Sequence, residues 1–100
     1  MSPVYIHPRI EEKSAEPSHG SVTPAEVRER FENHTGGYCV DNRAGSQAHD
    51  PSLTTLWFVG ITNKCKKLKV IFVNDAGTIY LKSAHSATPE IERIFKKYSA

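Results

Sequence analysis

The stretch TTLWFVGITNKCKKLKVIFVNDAGTIYLKSA, residues 54–84, decides the fold of this chain. Its segments TTLWFVGIT, KLKVIFV and TIYLKSA alternate or turn apolar over short lengths, which is typical of β-strands. Residues 63–66 are expected to close the first hairpin. The NDAG segment is expected to close the second, with Gly77 at positive φ. The sequence therefore predicts an antiparallel sheet in the C-terminal half.

The expected register of these strands gives the sheet one apolar face. If Thr62 faces Lys67 and Val73 faces Thr78, eight apolar side chains share that face: Trp57, Val59, Ile61, Leu68, Val70, Phe72, Ile79 and Leu81. A face of this kind is typical of a sheet covered by helices on one side. We therefore predict an α+β protein, with a small antiparallel sheet of three to four strands and helices packed on one face.

The other face of the predicted sheet carries a group of lysines at one end. Lys69 is expected to lie directly opposite Lys82, and like charges placed in this way are destabilising. Gly60 beside them would leave room above the sheet, and His85 would lie near the lysines of the first hairpin. This arrangement suggests an anion-binding site, although lysines on an exposed sheet face also discourage aggregation.

Helices are predicted before and after this sheet segment along the chain. Thr23 and Glu26 form a Thr-x-x-Glu capping box that starts a helix at residues 24–33, and Val22 can pack against Val27 at its first turn. Residues 8–15 can form a short helix, and a last amphipathic helix is expected to begin at Thr88 and Pro89.

The rest of the chain is expected to complete a single domain of residues 1–100. The order of residues 1–20 is left open by their sequence, YCVDNR (residues 38–43) can form an edge strand, and residues 43–53 predict a polar loop. The two cysteines, Cys39 and Cys65, are too few for a disulfide scaffold, so reduced thiols and a cytoplasmic location are predicted. No apolar run approaches the ~20 residues that span a bilayer.

Charge is distributed unevenly along the chain. Residues 1–60 contain five basic and eight acidic side chains, whereas residues 61–100 contain eight basic and three acidic ones. A basic segment of this kind points weakly to a polyanionic partner such as RNA, and an ordinary solvated surface is the competing interpretation.

Phosphodiester cleavage is the chemistry that the basic segment fits best. Attack by the 2′-OH of RNA needs a base, an acid and cations that stabilise charge on phosphorus, but no metal. The candidate catalytic residues are His85, Lys67, Lys69, Lys82 and Arg93, and the candidate RNA-binding residues are Lys64, Lys66, Arg43 and Tyr80. The five histidines are scattered without metal-ligand spacing, so neither a metal nor another cofactor is predicted.

The C-terminal half resembles the core of BrnT-like toxins. That family has a G-x-[ST]-x-[KR]-x-[KR]-L-x-V-[VI]-[YF] hairpin, a strand ending in I-x-S/K-A-x-x-A-T, and a helix carrying E-R. The matching residues are Gly60, Thr62, Lys64, Lys66, Leu68, Val70, Ile71, Phe72, Ile79, Ser83, Ala84, Ala87, Thr88, Glu92 and Arg93. GSVTPAEVRERFEN (residues 20–33) is similar to the helix that precedes the sheet in such proteins.

The resemblance implies a RelE-like fold and a type II toxin–antitoxin role. It further implies ribonuclease activity, and an antitoxin partner that is a small ribbon-helix-helix DNA-binding protein. The family's D-P-x-K opening and K-H-G stretch appear here only as HPRIEEK and SHG. An alternative function is therefore a non-catalytic protein-interaction module of the same fold. A DNA-binding domain is less favoured, because helix 24–33 is rich in glutamate rather than basic residues.

Overall fold

The computed structural model describes residues 3–34, 37–40, 54–62 and 65–98, which form an α+β fold around one sheet. In chain order, the elements are β1 (Val4–Tyr5), α1 (Pro8–Ala15), a 3₁₀ turn (Pro17–His19), α2 (Pro24–Asn33), β2 (Cys39–Val40), β3 (Thr55–Ile61), β4 (Lys67–Asp75), β5 (Thr78–Ser86) and α3 (Pro89–Tyr98). The strand order is β1-β5-β4-β3-β2, with β1 parallel to β5 and every other pair antiparallel.

The predicted α+β class is confirmed, but the predicted strand number and purely antiparallel sheet are wrong. Five strands are present among the described residues, and the sheet is mixed. The additional strand is β1, which has two residues and is therefore too short to show an alternating pattern. Its pairing with β5 joins segments that are far apart in sequence, and a hydrogen bond of 2.9 Å from Ile79 N to Pro3 O extends it.

The three helices lie where the sequence predicts them. At the start of α2, Glu26 N donates to Thr23 Oγ1 at 3.2 Å and Thr23 N donates to Glu26 Oε1 at 3.0 Å, which completes the capping box. Val22 and Val27 are both buried in the same core cluster. At the start of α3, Ile91 N donates to Thr88 Oγ1 at 3.2 Å. None of the described helices is long and apolar enough to cross a membrane.

The N-terminal segment, the edge strand and the polar loop agree only in part with their predictions. Residues 3–19, whose order was left open, form β1, α1 and the 3₁₀ turn. Cys39 and Val40 form the expected edge strand, which pairs with β3 alone. The predicted polar loop at 43–53 and the end of YCVDNR lie outside the described residues.

The second hairpin is tighter than expected. Asp75 pairs with Thr78 across a two-residue turn, in which Ala76 and Gly77 have φ angles of 52° and 91°. The expected pairing of Val73 with Thr78 is therefore wrong. A two-residue turn with both φ angles positive matches the twist of the flanking strands, but alanine seldom adopts such a φ and so gave no signal for it.

The first hairpin also differs from its predicted register, by one residue. Thr62 N donates to Lys66 O at 2.8 Å, and Ile61, rather than Thr62, faces Lys67. Cys65 has a φ of 63° and Lys66 is paired with Thr62, so Lys66 is not part of the turn as predicted; residues 63 and 64 lie outside the described residues. Since side chains alternate along a strand, this slip moves every side chain of β3 to the opposite face relative to β4.

Both faces of the sheet are consequently packed, and the prediction of helices on one face is wrong. On the first face, here called the α1/α2 face, the buried sheet residues contact α1, α2 and the segment before α2; they are Phe58, Leu68, Val70, Phe72, Leu81 and Ala84. On the second, the α3 face, Trp57 and Ile71 pack with Cys39 against Ile91 and Phe95. The run VIFV in β4 is apolar at every position, which is the pattern of a strand buried on both faces.

Gly60 lies on the α1/α2 face rather than beside Lys69. A Cβ atom at this position would lie 2.9 Å from Cδ and 3.1 Å from a terminal nitrogen of Arg30, a residue of α2 that is 9% exposed. The predicted open space above Gly60 is thus filled by an arginine side chain. Glycine at this position lets the Arg30 side chain pack directly on the backbone of β3.

Gly60→Ala should lower the free energy of unfolding by about 1–3 kcal/mol, because the added methyl group forces buried Arg30 out of place. In an Arg30→Ala background the same change should cost less, since the colliding atoms are absent. Urea unfolding of the parent, both single variants and the double variant measures this coupling. An equal loss in both backgrounds would contradict the proposed packing.

Candidate functional site

Lys69 and His85 form the centre of the candidate site. They are directly opposite each other on β4 and β5, on the α3 face of the sheet. The predicted pairing of Lys69 with Lys82 is wrong, because β5 contains one extra residue at this point. Leu81 pairs with Phe72 and Ser83 with Ile71, which leaves Lys82 without a partner residue on β4.

The Lys69 ammonium lies over an aromatic ring. Its Nζ atom is 4.5 Å from the centroid of the Trp57 ring, a geometry typical of a cation–π interaction. Burial raises the pKa of the Cys39 thiol above its ordinary value of 9.0, and the positive charge of Lys69 offsets part of that effect. Cys39 is therefore a thiol rather than a thiolate at neutral pH, and it does not supply a nucleophile.

The hydrogen bond of His85 defines its neutral tautomer. Nδ1 lies 2.9 Å from the carbonyl oxygen of Ser86, and a carbonyl can only accept, so Nδ1 carries the proton. Nε2 of the neutral ring then has a lone pair. His85 is consequently suited to accept a proton through Nε2.

A second histidine, which the sequence did not identify as a site residue, lies beside His85. The ring centroids of His19 and His85 are 6.1 Å apart, with an angle of 76° between the ring planes. Nδ1 of His19 is buried and has no hydrogen-bond partner in the described part of the chain. His19 belongs to the SHG stretch. Because it is far from His85 in sequence, no spacing rule could connect the two. We call His19, His85 and Lys69 the histidine–lysine row.

Lys67 lies on the same strand and face as Lys69, and it contacts a carboxylate of α3. Its Nζ is 2.8 Å from Glu92 Oε2, and Lys96 Nζ is 3.2 Å from Glu92 Oε1. The hydrogen bond from Lys67 lowers the pKa of Glu92 most strongly, and that from Lys96 lowers it further. The sequence match included Glu92 but did not indicate this role for it.

Lys66 contacts the other side of the molecule. Its Nζ lies 3.1 Å from Glu26 Oε2 and 3.1 Å from the carbonyl oxygen of Ser21, so it connects the first hairpin to the start of α2. Burial raises the pKa of Glu26, but the hydrogen bond from the Thr23 amide and the contacts of Lys66 outweigh it, and the net shift is downward. Contact of Lys66 with RNA stays a prediction.

The remaining predicted site residues are spread over the surface. Arg93 is exposed on α3, where it lines an open cavity of about 300 Å³ with Pro89, Glu92 and Lys96. Tyr80 packs edge-to-face on Tyr5 with centroids 5.8 Å apart. Lys64 and Arg43 lie outside the described residues. The structure thus brings His85, Lys69 and Lys67 to one end of the α3 face.

Comparison of this chain with protein-family models, with curated proteins and with solved structures found no match.

The ion pairs of Glu92 should make the stability of the protein depend on pH in the acid range. A carboxyl group with a lowered folded-state pKa stabilises the protein above its ordinary value of 4.5, and this contribution is lost as pH falls through the lowered value. The melting temperature of Glu92→Gln should consequently fall less than that of the parent between pH 7 and about pH 3. Glu90→Gln is the control, because Glu90 is exposed and forms no ion pair within the described residues. Identical acid profiles for the parent and Glu92→Gln would refute this assignment.

Proposed function

We propose that this protein is a toxin-type endoribonuclease of a toxin–antitoxin pair, with a BrnT-like relationship and a RelE-like fold, acting on RNA in the cytoplasm. The observation that carries the proposal is the histidine–lysine row, in which the rings of His19 and His85 are neighbours and Lys69 is the residue paired with His85. The resemblance of residues 57–97 to the BrnT-like core supports it independently.

The proposed reaction is cleavage of RNA by its own 2′-OH. Nε2 of His85 accepts the proton of the 2′-OH, and the 2′-oxygen forms a bond to phosphorus. The bond from phosphorus to the 5′-oxygen breaks, and protonated His19 donates a proton to that oxygen. The products are a 2′,3′-cyclic phosphate and a 5′-OH.

Cations close to the two imidazoles would stabilise the charge that develops on the phosphate. Lys69 pairs with His85 across neighbouring strands and would serve the scissile phosphate, whereas Lys67, two residues further along β4 on the same face, is engaged by Glu92. Fixed positive groups at such a position act mainly on the transition state, in which the phosphate oxygens carry the most charge. In the free protein the Lys69 ammonium lies over the Trp57 ring of β3, on the side of β4 away from His85, so Lys69 would have to turn toward β5 to reach the phosphate.

A second candidate function is a non-catalytic interaction module of the same fold. Lys66 and Lys67 already contact carboxylates, which reduces the positive charge that they offer to RNA. This module would bind a protein partner through its basic surface and would not cleave RNA.

His85→Asn should abolish growth arrest by the expressed protein and reduce RNA cleavage in vitro by about 10²–10⁴-fold, the usual contribution of an acid–base group. His7→Asn is the matched control: His7 is exposed and caps α1 by accepting from Arg9 N at 3.1 Å, and asparagine can also cap a helix. Melting curves show whether both variants fold. Growth arrest that persists in His85→Asn would overturn the proposed mechanism. A parent that binds a protein partner without cleaving RNA would favour the interaction module.

The proposed antitoxin, a small ribbon-helix-helix protein, should contact the basic surface with an acidic segment. Its association rate should then fall as ionic strength rises, because salt screens the attraction between the two proteins. Stopped-flow measurements between low and high salt test this expectation. A rate that does not change with salt would place the contact on apolar surface instead.

A further inference from the structure

Both carboxylate oxygens of Glu92 are engaged by ammonium groups from different elements. Oε2 accepts from Lys67 of β4 at 2.8 Å, and Oε1 accepts from Lys96 of α3 at 3.2 Å. The Glu92 side chain is only 19% exposed, whereas those of Lys67 and Lys96 are 49% and 73% exposed. One anion is thus enclosed between two cations that solvent can reach.

The two engaged oxygens have the same hydrogen-bonding character as the two non-bridging oxygens of a phosphodiester. Both pairs of oxygens share one negative charge, and both accept charge-assisted hydrogen bonds from ammonium groups. A phosphate could therefore replace the carboxylate between the same two lysines.

The surroundings of Glu92 leave space for such an exchange and lie next to the histidine–lysine row. The open cavity of about 300 Å³ that Glu92 lines with Pro89, Arg93 and Lys96 gives the side chain room to move and adds the charge of Arg93. On the sheet side, Lys67 shares its strand and face with Lys69. Lys67 of the pair therefore lies next to Lys69 of the histidine–lysine row on the same face of β4.

We propose that Lys67 and Lys96 form a second phosphate subsite for single-stranded RNA, which Glu92 occupies as an internal anion until RNA displaces it. The inference rests on the proposed function, because it assigns the neighbouring phosphate of the same substrate. Displacement costs the ion pairs of Glu92, so an isolated phosphate gains little there. A strand that is already held at the histidine–lysine row offers its next phosphate at high effective concentration.

A purely structural role for Glu92 predicts a different result. If the ion pairs only hold α3 on the sheet, their removal lowers stability and leaves RNA affinity unchanged or reduced. If Glu92 competes with phosphate, its neutralisation raises RNA affinity. The direction of the change therefore separates the two roles.

The test compares Glu92→Gln with Glu90→Gln, since each removes one negative charge from the first turn of α3. Both are made in the His85→Asn background so that RNA stays intact, and binding of a fluorescent oligouridylate is measured by anisotropy at several NaCl concentrations. Glu92→Gln should bind roughly three- to ten-fold more tightly, the scale of one surface charge at close range. The slope of log affinity against log salt should steepen by about 0.7, as expected for one added phosphate contact on a single strand. Glu90→Gln should change the affinity by less than about two-fold, because its charge is not in the subsite and is screened by solvent.

A second pair of variants does not depend on the stability of Glu92→Gln. Lys96→Gln should weaken RNA binding more than Lys97→Gln does, although both change exposed lysines at the end of α3. Equal affinities within both pairs would overturn the subsite, and so would an absence of RNA binding at low salt. Growth arrest by the parent tests the proposed function separately. If RNA affinity rises in Glu92→Gln but the parent causes no growth arrest, the subsite proposal stands and the endoribonuclease proposal is wrong.

Discussion

The position of β4 between β3 and β5 is the constraint on which the rest of the structure depends. This strand is hydrogen-bonded on both sides, and its residues Val70, Ile71, Phe72 and Val73 are at most 4% exposed. Alternate side chains therefore enter two different cores, one beneath α1 and α2 and the other beneath α3. A shift of one residue would exchange the two sets, so the packing on both faces selects a single register.

The register of β4 also determines which polar groups meet. The tight turn at Ala76 and Gly77 and the extra residue Lys82 together place His85, rather than a second lysine, opposite Lys69. Because His85 rather than Lys82 is the residue paired with Lys69, the repulsion that two facing lysines would create is avoided. The same bulge thus places a histidine opposite a lysine on the α3 face of the sheet.

Charge in the basic half of the chain is less available than its composition suggests. Glu26 and Glu92, from two different helices, each engage a lysine of the first hairpin region and connect that region to the helices. Only the lysine ends of these pairs are well exposed, and ion pairs at a protein surface contribute little stability individually. Each carboxylate also occupies an ammonium group that an external anion would otherwise contact.

The sequence by itself determined the local elements. The capping box at Thr23, the apolar run of β4 and the helix start at Thr88 depend on neighbouring residues, and each appears in the structure as predicted. The apolar run VIFV indicates burial on both faces but not which helices cover them, and local patterns could not determine the strand register or the contact between His19 and His85. Those features depend on turn geometry and on which surfaces pack together across the chain, and such long-range contacts are decided only when the whole tertiary structure forms.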